Sequence, residues 1–135
     1  MTKNRFRAWD KSFQKYCENV IVSTINGKIT VYGRLVNGNT ALIPSTHVVL
    51  EQCTGLKDKN GRLIYEGDII QHDTAAGPKC WPVVFKNGCF VLPYESGEAW
   101  LGKVIEHCPY DSGVVIAGNI HENPELLEAN NDNKN

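Results

Sequence analysis

What this chain lacks narrows its options first. No apolar run approaches the roughly 20 residues that a membrane-spanning helix needs, so no contact with a bilayer is expected. The first seven residues, MTKNRFR, carry charge with no apolar segment behind them, which is not the pattern of a secretory leader. A cytoplasmic protein is the expectation. Five cysteines, Cys17, Cys53, Cys80, Cys89 and Cys108, form an odd set without a Cys-x-x-Cys pair. That argues against a disulfide framework and for reduced thiols, with Cys53 and Cys89 read as small core residues. Zinc needs clustered ligands, and the nearest candidate, His107-Cys108, would send adjacent side chains to opposite sides of a strand. Neither a metal nor a cofactor is expected.

A strongly basic balance is also missing. The chain of 135 residues has a net charge of -1, far from what a dedicated nucleic-acid binder carries. The charge is unevenly spread, however. Residues 1–40 hold seven basic and two acidic residues, net +5, and residues 41–135 hold seven and thirteen, net -6. Such asymmetry can mark a polyanion-binding face, internal complementarity, or the two sides of a subunit contact, and the last two are favoured. With 41% apolar and 21% charged residues, the composition is that of an ordinary globular chain long enough to bury a core.

What is present reads as β-structure. Phe6 to Asp10 alternates charge and apolar residues as a short strand, and Phe13 to Tyr16 can return as its hairpin partner across the Asp10-Lys11 turn. Val20 to Ile25 is rich in β-branched residues, Asn26-Gly27 turns, and Lys28 to Leu35 returns with Tyr32 and Arg34 on one face. Asn37-Gly38 turns again before Ala41-Leu42-Ile43, and Pro44-Ser45 separates that segment from Val48-Val49-Leu50. In the second half, Asp73 to Lys79 reads as a mobile small-residue loop. Val83-Val84-Phe85, the turn Lys86-Asn87-Gly88 and Cys89 to Leu92 form the clearest hairpin. Tyr94 to Gly102 reads as an irregular loop and Val104 to His107 as a further strand. Val114 to Ile120 is a strand, and Asn123-Pro124-Glu125 opens a short helix to about Ala129.

The predicted fold is therefore mainly β: an antiparallel N-terminal meander over residues 1–53, packed on a C-terminal SH3-like small barrel over 54–129. A short C-terminal helix closes the second part, and residues 130–135 form a disordered tail.

The organising stretch is Thr54 to Ile70, TGLKDKNGRLIYEGDII. Thr54, Gly55 and Leu56 lead into a turn at Asp58-Lys59-Asn60-Gly61, where Asn60-Gly61 supplies positive φ. Tyr65, Glu66, Gly67 and Asp68 then make a corner between two β-prone segments, the usual meaning of a glycine inside a strand. The stretch holds no phosphate loop, no paired ligands and no nucleophile with its base. Together with Phe6-Arg7-Ala8-Trp9-Asp10 and with Val115 to Leu127, which carries Gly118-Asn119 and Asn123-Pro124, it resembles the YopX family of small phage and prophage proteins. His121 stands where that family more often has Tyr, and Ala117 sits within the closing strand. The resemblance implies a β-rich fold, phage origin and self-association. It implies no activity.

Three functions follow, in order. The first is an oligomerising protein-interaction module acting on a host or phage protein in the host cytosol, not an enzyme, with hairpin edges available for strand addition. The second is a nucleic-acid-binding accessory protein using Arg5, Arg7, Trp9, Tyr32 and Arg34, where basic and aromatic residues interleave. Trp9 is more simply a core anchor. The third is a hydrolase-like or metal-dependent enzyme at Glu66 and Asp68, two apart and so on one face of a regular strand, able to share a proton or hold a cation. The turn-forming habit of Gly67-Asp68 argues against it. His72-Asp73 is set aside as a dyad because strand neighbours point to opposite faces.

Overall fold

The computed structural model describes residues 6–25, 28–34, 40–43, 47–109 and 113–132, with backbone alone at 18–25, 28–34, 40–43 and 129–132. The turns at Asn26-Gly27 and Asn37-Gly38, the break at Pro44-Ser45, and Arg5 lie outside the described residues. Contacts divide the chain into two compact units, Met1–Cys53 and Thr54–Asn135. Among the described residues the chain is mainly antiparallel β with a short C-terminal helix, as the alternation and turn chemistry predict. No described helix is long and apolar enough to cross a membrane.

In the first unit, β1 (Phe6–Asp10) pairs on one side with β2 (Lys15–Tyr16) and on the other with the start of β6 (Val48–Lys57). Asp10 closes the β1–β2 turn by accepting the Ser12 and Phe13 amides on one carboxylate oxygen. Beside them β3 (Glu18–Ile25), β4 (Lys28–Arg34) and β5 (Thr40–Ile43) form the expected meander, with Val22 opposite Val31 and Val31 opposite Ile43. Ala8 and Trp9 are buried, with Cys17, Val48 and Leu50 packed on Ala8.

The second unit starts on the C-terminal end of β6, with β7 (Leu63–Tyr65) beside it. Two three-stranded sheets follow. One has β8 (Asp68–Thr74) between β9 (Gly77–Pro82) and β13 (Val115–Asn119). The other runs β10 (Val84–Lys86), β11 (Cys89–Tyr94), β12 (Gly97–Trp100). Ile64, Ile70, Val83, Leu92, Leu101 and Val114 form the core of this unit. Burying such side chains contributes about 1.5–3 kcal/mol each.

The predicted hairpin at Asn87-Gly88 is present, both residues at positive φ (52° and 82°), the requirement of a tight two-residue reversal. Three other segments differ from the sequence reading. Asp73 to Lys79 is not a loop but the end of β8, a turn at Ala75-Ala76 and the start of β9. Thr74 closes that turn: its hydroxyl donates to the Gly77 carbonyl at 2.7 Å and accepts the Ala76 amide at 3.1 Å. Tyr94 to Gly102 contains β12, not irregular chain. Val104 to His107 is not a strand; it belongs to α1 (Leu101–Glu106) and its C-terminal cap. The β-branched pair Val104-Ile105 suggests a strand, but Leu101, Val104 and Ile105 fall at i, i+3 and i+4, and that helical stripe meets the core. The final helix, α2 (Glu125–Asp132), continues through Asn130, Asn131 and Asp132, residues that composition alone assigns to a frayed tail. Cys80, not Cys53 or Cys89, is the buried cysteine; the other two are half-buried.

Candidate functional site

Of the basic and aromatic residues near the N-terminus, Trp9 is 4% exposed and its ring stands edge-on to Tyr16 with centroids 5.0 Å apart. It is a core anchor, and no face of it is open to a nucleobase. Arg7 donates from Nε to Glu51 Oε1 at 2.8 Å and lies over the Tyr16 ring at 4.4 Å. Tyr16 donates its hydroxyl to the same Glu51 oxygen at 2.9 Å. Glu51 is 2% exposed, so this Arg–Glu–Tyr knot answers a buried carboxylate rather than presenting a cation to solvent. Tyr32 and Arg34 sit two apart on β4; their side chains, like Arg5, lie outside the described residues. Of these five residues, the two with described side chains, Arg7 and Trp9, are both engaged inside the first unit.

The organising stretch is architectural, residue by residue. Thr54 donates its hydroxyl to the Ile64 carbonyl at 2.7 Å and accepts the Leu56 amide at 3.1 Å, while Gly55 takes φ 79°. Asp58, 6% exposed, is the hub of the next turn. Its Oδ1 accepts the amides of Asn60 (3.0 Å) and Arg62 (2.9 Å), and its Oδ2 accepts that of Ile116 on β13 (3.1 Å). Gly61 follows at φ 82°. Glu66 and Gly67 form a turn, Gly67 at φ 88°, so Glu66 and Asp68 are not alternate residues of one strand. Asp68 is 3% exposed and its Oδ2 accepts the Tyr65 amide at 2.8 Å. Asp68 thus locks the turn, and the expectation that Glu66 and Asp68 share one face of a regular strand is corrected.

The closing motif is equally structural. The Asn119 side chain accepts the amides of His121 and Glu122 and donates to Glu122 Oε1, and its own amide reaches Asn123 Oδ1 at 3.2 Å. Asn123 thus directs its side chain back to the loop, and Pro124 leads into α2, with Leu127 N–H donating to its carbonyl. Gly118 is obligatory for space: a Cβ there would lie 2.3 Å from Asn123 Oδ1.

The chemistry-bearing residues that the structure does bring together are ones sequence reasoning passed over. His72 on β8, Trp81 on β9 and Tyr94 at the end of β11 form one aromatic cluster. His72 stacks on Trp81 (centroids 4.4 Å, planes 26° apart), and Tyr94 stands perpendicular to Trp81 at 4.8 Å. His72 Nδ1 lies 2.8 Å from the Asp73 carbonyl, which only accepts, so Nδ1 carries a proton. In the neutral ring Nε2 is then the acceptor, and the Tyr94 hydroxyl donates to it at 2.8 Å. Burial pushes the Tyr94 phenol above its ordinary range, with Cys108 adding to the shift, which keeps this donor protonated. The cluster lines a groove of about 510 Å³ together with Lys79, Glu95, Ser96 and Leu127 of α2. Only the pairing of β8 with β9, which sets His72 opposite Lys79, makes this grouping visible. Among the described residues no three His, Cys, Asp or Glu side chains converge as a metal-holding group.

A second, more apolar groove of about 530 Å³ lies along α1, between Leu56, Phe90, Trp100 and Leu101. Trp100 is 60% exposed beside it, and on the same sheet Phe85 is 44% and Val84 37% exposed.

A solved structure of protein EF1440 from Enterococcus faecalis is similar to this chain at 30% identity, TM-score 0.66, covering 91% of this chain and 96% of that one. Protein yopX from Bacillus subtilis is similar at 17% identity, TM-score 0.64, covering 93% and 99%. Among curated proteins there is no match. The family model described as YopX protein matches residues 5–128, nearly the whole chain. The three sequence motifs, the antiparallel fold and this match agree: the chain belongs to the YopX family.

Proposed function

We propose that this chain is a phage- or prophage-encoded interaction module that self-associates in the host cytosol and acts through protein contacts, not catalysis. The observation that carries the reading is the apolar surface of the β10–β11–β12 sheet. Trp100 is exposed there beside an apolar groove, and the partly exposed Val84 lies in register on the same face, while the exposed Phe85 pairs with Phe90 on the other face. Exposed aromatics next to a pocket are the usual anchors of protein interfaces. Among the described residues β10 and β12 are the outer strands of that sheet, which supports strand addition by a partner or a second copy. The unequal charge of the two parts of the chain, +5 and -6 by residues 1–40 and 41–135, supports contact between copies. Support for a non-catalytic role comes from the buried carboxylates Glu51, Asp58 and Asp68, each committed to holding main chain or neighbouring side chains. A nucleic-acid accessory role ranks below, because Trp9 is buried and Arg7 is bound to Glu51.

Sedimentation velocity at micromolar concentration tests the proposal. Self-association is expected at low salt, weakening as salt is added, and it should be lost in Val84→Ser/Trp100→Ser. A strictly monomeric wild-type chain, or a double variant that assembles normally, refutes it.

A further inference from the structure

We infer that the groove walled by His72, Trp81 and Tyr94 is a binding site for a nucleotide unit carrying a single phosphate. It is independent of the Trp100 surface and shares no lining residue with it.

The argument begins with preorganisation. His72 is held at both ring nitrogens and stacked on Trp81, and Tyr94 is held by its hydroxyl. Rings fixed this way lose little freedom when a flat ligand settles against them, which is where much binding energy is otherwise lost. At about 510 Å³ the groove lies within the size range of small-molecule sites, about 300–1,000 Å³.

The polar groups then select the ligand class. Lys79 lies opposite His72 in the β8–β9 register, on the same face as the rings. Among the described residues its ammonium pairs with no carboxylate. An unpaired cation beside π surfaces suits a planar group with an attached anion. Ser96 lines the same groove, a hydroxyl suited to the hydroxyls of a sugar. Glu95, in the same lining, carries negative charge, so one phosphate fits where a triphosphate does not. Base against the rings, phosphate on Lys79 and sugar at Ser96 together describe a nucleoside monophosphate, free or at the end of a strand.

The test is an NMR titration of the ¹⁵N-labelled full chain, following the Trp81 indole N–H, identified by its loss in Trp81→Phe. AMP should shift this signal, while ribose 5-phosphate, which lacks the base, and ATP should each bind at least about tenfold more weakly. Lys79→Ala, with the rest of its spectrum unchanged, should weaken AMP by about tenfold, the loss of one charge-assisted contact, and leave adenosine unaffected. A 5′-phosphorylated trinucleotide binding tighter than AMP assigns the unit to a strand end; equal or weaker binding assigns it to the free nucleotide. No shift at millimolar AMP, ribose 5-phosphate or ATP matching AMP, or an unchanged affinity in Lys79→Ala each overturns the inference.

Discussion

Gly118→Ala is the sharpest structural test of the closing motif. The added methyl would sit 2.3 Å from Asn123 Oδ1, 2.7 Å from its Cγ and 2.9 Å from its Cβ, where ordinary contact begins at 3.4 Å. Asn123 cannot simply swing aside, because its Oδ1 accepts the Asn119 amide at 3.2 Å and its own amide donates to the Asn119 carbonyl at 2.9 Å. Displacing the side chain forfeits the Oδ1 bond, at about 1 kcal/mol, and residual overpacking against the backbone-anchored Cβ adds about 1–3 kcal/mol. Urea denaturation should therefore show Gly118→Ala less stable by about 2–4 kcal/mol. In an Asn123→Gly background all three clashing atoms are gone, so the same substitution should cost less than about 1 kcal/mol, a coupling that a double-mutant cycle reads directly. A loss below about 0.5 kcal/mol in the wild-type background, or the same loss in both backgrounds, would falsify the steric reasoning.

Asp58→Ala removes the acceptor of three amides at once, two in its own turn and one on β13. A loss of about 3 kcal/mol is expected, since buried donors left unpaired each carry a desolvation penalty of about 1–3 kcal/mol. Hydrogen exchange at Ile116 should accelerate with it, and unchanged protection there contradicts the assignment. Alkaline stability follows from Tyr94, whose phenol is held above its ordinary value of 10.0 by burial. The unfolded chain releases that proton first, so stability is intact below pH 10 and falls as pH rises from there through the raised folded value. Tyr94→Phe should flatten this fall and cost about 1 kcal/mol at neutral pH through the lost bond to His72; an unchanged alkaline slope in the variant excludes Tyr94 as its source.

Much of the fold was legible in one dimension because its cause is local. Asn87-Gly88 reverses the chain because of its own backbone freedom, and the β-branched run ending at Ile25 forms a strand wherever it finds a partner. Thr74 defeated that local reading, since a single hydroxyl turned an apparent small-residue loop into a hairpin. Val104 and Ile105 did so too, their strand preference yielding to the burial of a helical stripe beside Leu101. The motif residues from Thr54 to Pro124 could be singled out by sequence, but their work could not. That Asp58 reaches Ile116, and that Gly118 must clear Asn123, depends on segments distant in the chain or on a loop folded back on itself.

Sequence by itself determined the β-rich architecture, the positions of several turns and the family, because each rests on neighbouring residues or on a motif in fixed order. The sequence already favoured Trp9 as a core anchor and a turn at Gly67-Asp68; only the tertiary structure decided that Asp58 holds β13 and that His72, Trp81, Tyr94 and Lys79 share one groove. Those outcomes depend on strand register and burial, which arise from contacts between distant segments and leave no pattern in the order of the residues.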